Sequence, residues 1–262
     1  RGGERPAGEE KPPASVLVLE RTVTEYGLKP LEPGEEPPAR REVTKLGERR
    51  YTVKIGKNRV RESCADTGQI TIVRLDRDLV WMMDPGERTY REISLAEIDS
   101  HAARSRARLK RRLPLVTDPE QAARLEKLLG AGGKPAKVTV ERPGRTRKIL
   151  GEQCRLTVVK LGGEELFRAW MSDRPVPLAG SRWLRLGGCF SARAADALAA
   201  VSGLVMEAVF PMPDGGRLEI TTRRVSEAPP APGDFAHPEE LNYKPADRTA
   251  RSRSKPAETG NK

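Results

Sequence analysis

Gln69-Ile-Thr-Ile-Val-Arg-Leu-Asp-Arg-Asp-Leu-Val-Trp-Met-Met-Asp-Pro-Gly-Glu-Arg-Thr-Tyr-Arg-Glu92 contains three short apolar runs separated by two turn signals, Asp76-Arg77-Asp78 and Asp84-Pro85-Gly86-Glu87. Strand-forming residues (Ile70, Ile72, Val73, Val80, Trp81, Tyr90) fill the runs, while Asp, Pro and Gly fill the gaps. This spacing predicts an antiparallel meander in which each strand hairpins into the next.

The same grammar extends outward in both directions. Upstream, Ser15–Glu25 reads as a first strand, with Val16 and Val18 on one face and Leu17 and Leu19 on the other. The Pro- and acid-rich loop Pro30–Pro38 cannot sit inside a sheet. Pairing resumes in Arg50–Arg61, where Tyr51, Val53 and Ile55 alternate with Thr52 and Lys54, and Gly56-Lys57-Asn58 reads as a turn or bulge.

Downstream, Ser94-Leu95-Ala96-Glu97 is a capping box that opens a helix running to about Arg112, before Pro114. Its apolar stripe (Leu95, Ile98, Ala102, Leu109) is thin enough that only one side packs. A second helix starts at Asp118-Pro119 and stops at the glycines Gly130, Gly132 and Gly133. Further strands follow at Lys137–Glu141, Arg147–Leu150 (after a basic turn near Pro143-Gly144), Cys154–Lys160 and Glu165–Met171. Beyond a crossing at Arg174–Pro177 come Trp183, Leu184 and Leu186, and then an Ala-rich helix at Ala192–Ala200. A last hairpin pairs Leu204–Pro211 with Arg217–Val225, after which Phe235, Leu241 and Tyr243 dock back. The expected fold is therefore mainly β: an antiparallel sheet of about ten strands with two or three helices on one face.

Composition limits the rest. Of the 262 residues, 37% are hydrophobic and 32% charged, with a net charge of +11. No apolar run approaches the roughly 20 residues of a membrane-spanning helix. Residues 1–14 have the composition of a linker and residues 244–262 that of a basic tail, leaving 15–243 as the folded unit. A start at Arg1 fits a chain whose export signal has been removed. Basic residues concentrate in Arg104–Arg112, Arg142–Lys148 and the tail. Such clusters suit an anionic membrane surface or nucleic acid, or are solvated faces. No aromatic residue interleaves with Arg104–Arg112, so a base-stacking platform has no support there. The cysteines Cys64, Cys154 and Cys189 form no CxxC, and the histidines are His101 and His237, too few for a zinc site. No GxSxG elbow, HExxH or Walker loop occurs, so neither an enzyme nor a cofactor is expected.

Several phrases then coincide in order. They are the strand ending Lys57-Asn58-Arg59-Val60-Arg61, the Leu79-Val80-Trp81…Asp84-Pro85…Arg88-Thr89-Tyr90 segment, and Ile149–Val158 followed by Ala169-Trp170-Met171-Ser172. Gly203–Glu207 and Phe235 complete the series. Together they resemble exported bacterial domains similar to the LolA-like superfamily of outer-membrane lipoprotein carriers and sorting proteins. The resemblance implies a strongly curved antiparallel sheet, a half-barrel, whose concave side is partly filled by helices and receives acyl chains. Trp81, Met83, Trp170, Met171, Met206 and Val209 are the residues expected to line it, Trp and Met offering large, adaptable apolar contact. The helices 94–112 and 118–130 would act as lid or plug, and Arg104, Arg108, Arg111 and Arg112 would meet an anionic surface. The implied protein is a monomer of the periplasm or cell envelope, with an N-terminal lipid anchor compatible with the linker, and its partner is a lipid or lipidated protein. The alternatives are a basic nucleic-acid-binding protein and an envelope scaffold without a lipid ligand.

Overall fold

The computed structural model describes residues 15–28, 43–129, 137–176, 203–212 and 215–246. The expected linker 1–14, the loop Pro30–Pro38, Cys189, the Trp183–Leu186 stretch, the helix Ala192–Ala200 and the tail beyond Ala246 lie outside these residues.

The strands are β1 (Val16–Leu28), β2 (Val43–Gly56), β3 (Arg59–Cys64), β4 (Ile70–Arg74), β5 (Leu79–Asp84) and β6 (Thr89–Ser94). After the helices α1 (Leu95–Arg112) and α2 (Pro119–Leu129) come β7 (Val138–Glu141), β8 (Thr146–Ile149), β9 (Glu152–Leu161), β10 (Glu164–Ser172), β11 (Leu204–Pro211), β12 (Arg217–Ala228) and β13 (Lys244–Pro245). All belong to one open, curved sheet in the order β13-β6-β5-β4-β3-β2-β1-β12-β11-β10-β9-β7, with β8 also paired to β9. The order has a simple logic. From β1 the chain meanders outward to β6, and from β9 it meanders inward to β12, which closes on β1 in antiparallel register (Val23 opposite Ile220). The helices connect β6, near one end of the sheet, to β7 at the other.

The meander of residues 69–92 forms as its sequence dictates. Asp78 takes the left-handed conformation (φ 52°), as does Asn58 (φ 54°) in the β2–β3 turn, so residues 50–61 are a hairpin rather than one bulged strand. Asx side chains tolerate that region better than most residues. In the next turn Asp84 Oδ1 accepts the amides of Gly86 and Glu87 at 2.9 and 3.2 Å, and Arg88 (φ 52°), not Gly86, adopts the left-handed conformation.

One expectation is corrected. The basic turn expected near Pro143-Gly144 does not fold the strands on either side of it into a hairpin with each other. β7 pairs with Val158–Leu161 and β8 with Glu152–Arg155, so both lie end to end along the same side of β9. They are two halves of one edge strand, interrupted at Arg142-Pro143-Gly144-Arg145, where Pro143 has no amide to donate and Gly144 (φ 73°) turns the chain. At the other edge, Lys244 and Pro245 pair in parallel with Thr89 and Tyr90, so the sheet runs two residues past the boundary expected at Tyr243.

The α1 capping box is present in full: Ser94 Oγ accepts from the Glu97 amide at 3.1 Å, and Glu97 Oε2 accepts from the Ser94 amide at 2.8 Å. Lys110, Arg111 and Arg112 complement the helix C-terminus. The first turn of α1 packs on the sheet, with Leu95 buried and Ile98 half-buried, whereas Leu109 is exposed. Lys127 ties α2 to Glu164 of β10 at 2.9 Å.

Gly203 opens β11 where no side chain fits. Its φ is +120°, and a Cβ there would stand 2.1 Å from the Ser172 carbonyl oxygen of the neighbouring strand. Gly203→Ala is predicted to destabilise the protein by roughly 2–4 kcal/mol, measured as the urea midpoint. A change within experimental error would show that β10 and β11 can separate at that point without cost.

Candidate apolar binding face

Residues directly opposite one another on neighbouring strands share a face. One row of partners runs Leu17, Ile55, Val60, Val73, Val80; beside it lie Leu19 and Val53. These residues join Leu95, Cys154, Leu204 and Met206 in one buried cluster, with Tyr51, Ile98, Trp170, Val176 and Val225 packed against it. The alternation of β1 is borne out: Leu17 and Leu19 belong to this face, while Val16 and Val18 belong to the cluster on the opposite one.

Polar groups are embedded in this apolar face. Arg21 follows Leu17 and Leu19 in the same alternation and is only 7% exposed. Its Nη2 donates to the Val205 carbonyl at 3.1 Å, but its Nε has no acceptor. Burial lowers the guanidinium to about 10, partly offset by the charge of Glu62. Glu62, opposite Val53 on β3, is raised by burial and lowered in turn by Arg21. Removing a charge from water is costly unless it is paired and hydrogen-bonded, and Arg21 meets that condition only in part. Cys64, opposite Tyr51, is buried. Burial pushes its thiol up, but hydrogen bonds from the Thr67 side chain, the amides of Thr67 and Asp66, and the Tyr51 hydroxyl leave it below the ordinary value. Burial raises Cys154, and both thiols are free.

The six residues expected to line one groove are divided among different environments. Trp170 and Met206 do belong to the large apolar face. Met171, the next residue along β10, points to the other side and joins Val159, Phe167, Ala169 and Ala208. Val209 is half-buried between Arg168 and Glu219 on the neighbouring strands, in none of these clusters. Trp81 and Met83 pack with Val16, Ile72, Tyr90 and Phe235 in a third cluster. The physical reason is the period of two: adjacent residues of a strand face opposite ways, and a bulge between Trp170 and Met171 shifts register again.

The Trp81 face is already covered by the C-terminal strap, residues 229–246. Lys54 Nζ pairs with Asp234 Oδ1 at 2.7 Å, and Arg74 Nη1 donates to the Phe235 carbonyl at 3.3 Å. His237 stands edge-on to Trp81 (4.9 Å) and Tyr90 (5.6 Å), and the Tyr90 hydroxyl donates to Glu239 at 3.1 Å. Its Nδ1 accepts the Glu239 amide at 3.3 Å, so His237 caps a short 3-10 turn. Phe235, Leu241 and Tyr243 dock as their sequence suggests. Trp170 instead lies under Arg147, whose guanidinium carbon is 4.3 Å from the ring centroid and which pairs with Glu207.

Arg104, Arg108, Arg111 and Arg112 are all exposed on α1. Among the described residues no group of three or more His, Cys, Asp or Glu side chains is arranged to hold a metal, and no helix is long and apolar enough to cross a membrane.

No family model matches the chain. No curated protein matches it either. Among solved structures, an uncharacterized conserved protein from Thermus thermophilus is similar at 7% identity and a TM-score of 0.41, over 89% of this chain and 90% of that one. A LolA superfamily protein from Nitrosomonas europaea is similar at 9% identity and a TM-score of 0.32, over 86% of this chain and 91% of the other. PNGF-II is similar at 10% identity and a TM-score of 0.39, over 85% of this chain but 30% of PNGF-II, so the chain spans less than a third of that protein. The likeness to a LolA superfamily protein is thus weak and confined to shape.

Proposed function

We propose that this protein is a carrier-like component of the cell envelope that holds an apolar chain of a lipid or lipidated protein against its sheet, without covalent chemistry. The observation behind this reading is the face built from Leu17, Leu19, Val53, Met206 and Trp170, continuous across both halves of a curved sheet, with Arg21 embedded in it. Concave apolar surfaces with a few placed polar groups are the usual form of a small-molecule site. Among the described residues, the side chains laid on this face from outside the strands are Leu75, Leu95, Ile98 and Val176. An acyl chain would take its place by exchanging apolar contacts with such groups, which costs little because neither side loses hydrogen bonds.

The test is native mass spectrometry with lipid extraction on the full chain purified gently from an exporting host. A stoichiometric lipid or acylated species is expected. Trp170→Ala should lower its occupancy by about tenfold, as for loss of one large buried contact, whereas Val209→Ala should leave it unchanged. A protein that carries no lipid and takes up none when it is added would overturn the reading.

A further inference from the structure

The turn between the helices combines two features that neither the fold nor the apolar face uses. Leu115 is 76% exposed and Leu109 46% exposed, with the exposed Pro114 and the half-buried Leu113 and Val116 between and beside them. Isolated surface leucines are ordinary. These differ in their setting, because they sit among Arg108, Lys110, Arg111 and Arg112, all exposed. No acid occurs between Asp99 and Asp118. Among the described residues none of these cations pairs with a carboxylate.

Geometry concentrates them. Arg104, Arg108 and Arg111 recur at spacings of four and three, which places them on one side of α1 leading toward the turn. With 18 residues in α1, the turn lies about 27 Å along the helix from the Leu95 anchor.

We infer that this turn, Arg108–Val116, is a docking surface for an anionic lipid bilayer, with the cations meeting headgroups and Leu115 entering the acyl boundary. Basic residues beside exposed apolar ones are what interfacial binding requires: charge attracts the segment to the surface and apolar burial retains it. A nucleic acid would use the cations alone. It offers no apolar layer for Leu115, and no Phe, Tyr or Trp occurs from Ser94 to Asp118 for bases to stack on. The inference is independent of the carrier reading, since docking of the empty chain requires no bound cargo.

The experiment is cosedimentation of the full chain with vesicles of phosphatidylcholine alone and of phosphatidylcholine with phosphatidylglycerol, over a range of salt, beside a duplex DNA control. Binding is expected only to the phosphatidylglycerol vesicles. Leu115→Gln should weaken it by about tenfold with the salt dependence unchanged. The double variant Arg108→Gln/Arg111→Gln should weaken it by roughly 25-fold and flatten the salt dependence. These positions are exposed, so thermal melts of the variants should match the parent. Three results would each overturn the inference: no vesicle binding at low salt, vesicle binding indifferent to Leu115→Gln, or duplex DNA binding stronger than vesicle binding. Failure here would leave the mass-spectrometric test of cargo untouched, and the reverse also holds.

Discussion

Trp81→Ala is predicted to lower stability by about 4 kcal/mol. Trp81 is fully buried (0% exposed) at the centre of the cluster beneath the C-terminal strap. Its indole Nε1 donates to Glu92 Oε2 at 2.8 Å, and His237 of the strap stands against its ring. Alanine would leave a cavity between the meander and the strap and take the donor from Glu92. Two readouts separate these effects. The urea midpoint should drop in Trp81→Ala, while Trp81→Phe, which keeps most of the volume and loses the hydrogen bond, should cost only about 1 kcal/mol. Limited proteolysis should cut residues 229–246 faster in the alanine variant. A loss under about 1 kcal/mol with unchanged proteolysis would mean that the polar links at Asp234, Phe235 and Glu239 hold the strap without Trp81.

The second large effect is electrostatic. Asp76 receives Arg74 through two hydrogen bonds, at 2.9 and 2.7 Å, and lies 3.4 Å from Arg59. The two guanidinium side chains are only 5% and 11% exposed. Burial raises the Asp76 carboxyl, but the hydrogen bonds and charge of Arg74, with Arg59 behind them, prevail and hold it below the ordinary carboxylate range. Asp76→Ala should therefore cost about 3 kcal/mol near neutral pH, at the low end for a broken buried pair because Asp76 keeps some solvent contact. The sign with pH follows. A carboxyl whose pKa is depressed on folding contributes stability that is fully present above its unfolded value, about 3.9, and is lost as pH falls through the folded value. The difference in urea midpoint between parent and variant should thus be large at about pH 7 and shrink below about pH 4. A difference that stayed constant down to about pH 2 would show that the Asp76 carboxylate is not the source of the effect.

What can be read from the sequence, and what cannot, divides along a physical line. Local rules place local elements. The meander, the Ser94 capping box, the Asp118-Pro119 helix start and the closing hairpin of β11 and β12 follow from turn residues and short-range periodicity, and each is present. The alternation in β1 also separates its two faces correctly. It does not say which face of β5 lies with which face of β10, because those strands are far apart in sequence and a bulge intervenes. Chemistry alone therefore groups Trp81 with Trp170, although the sheet assigns them to different clusters. The union of β7 and β8 into one interrupted edge is hidden for a related reason: the Pro143-Gly144 signal is the same for a hairpin turn and for a break. Arg21 is within reach. In the run Leu17, Leu19, Arg21 a cation occupies the next inward position, which is the pattern that signals a buried charge.

An open sheet has two rims, and unpaired rim strands invite copies of the same chain to stack edge to edge. Here the β7–β8 rim is split by Arg142-Pro143-Gly144-Arg145 into two short pieces flanked by like charges, and the β6 rim is occupied by Lys244 and Pro245. Neither offers a long ladder of free amides and carbonyls. The interruption that breaks one edge strand and the short parallel strand that closes the sheet at the other therefore act together against self-polymerisation. A chain that ended before Lys244 would lose half of that protection while keeping its core.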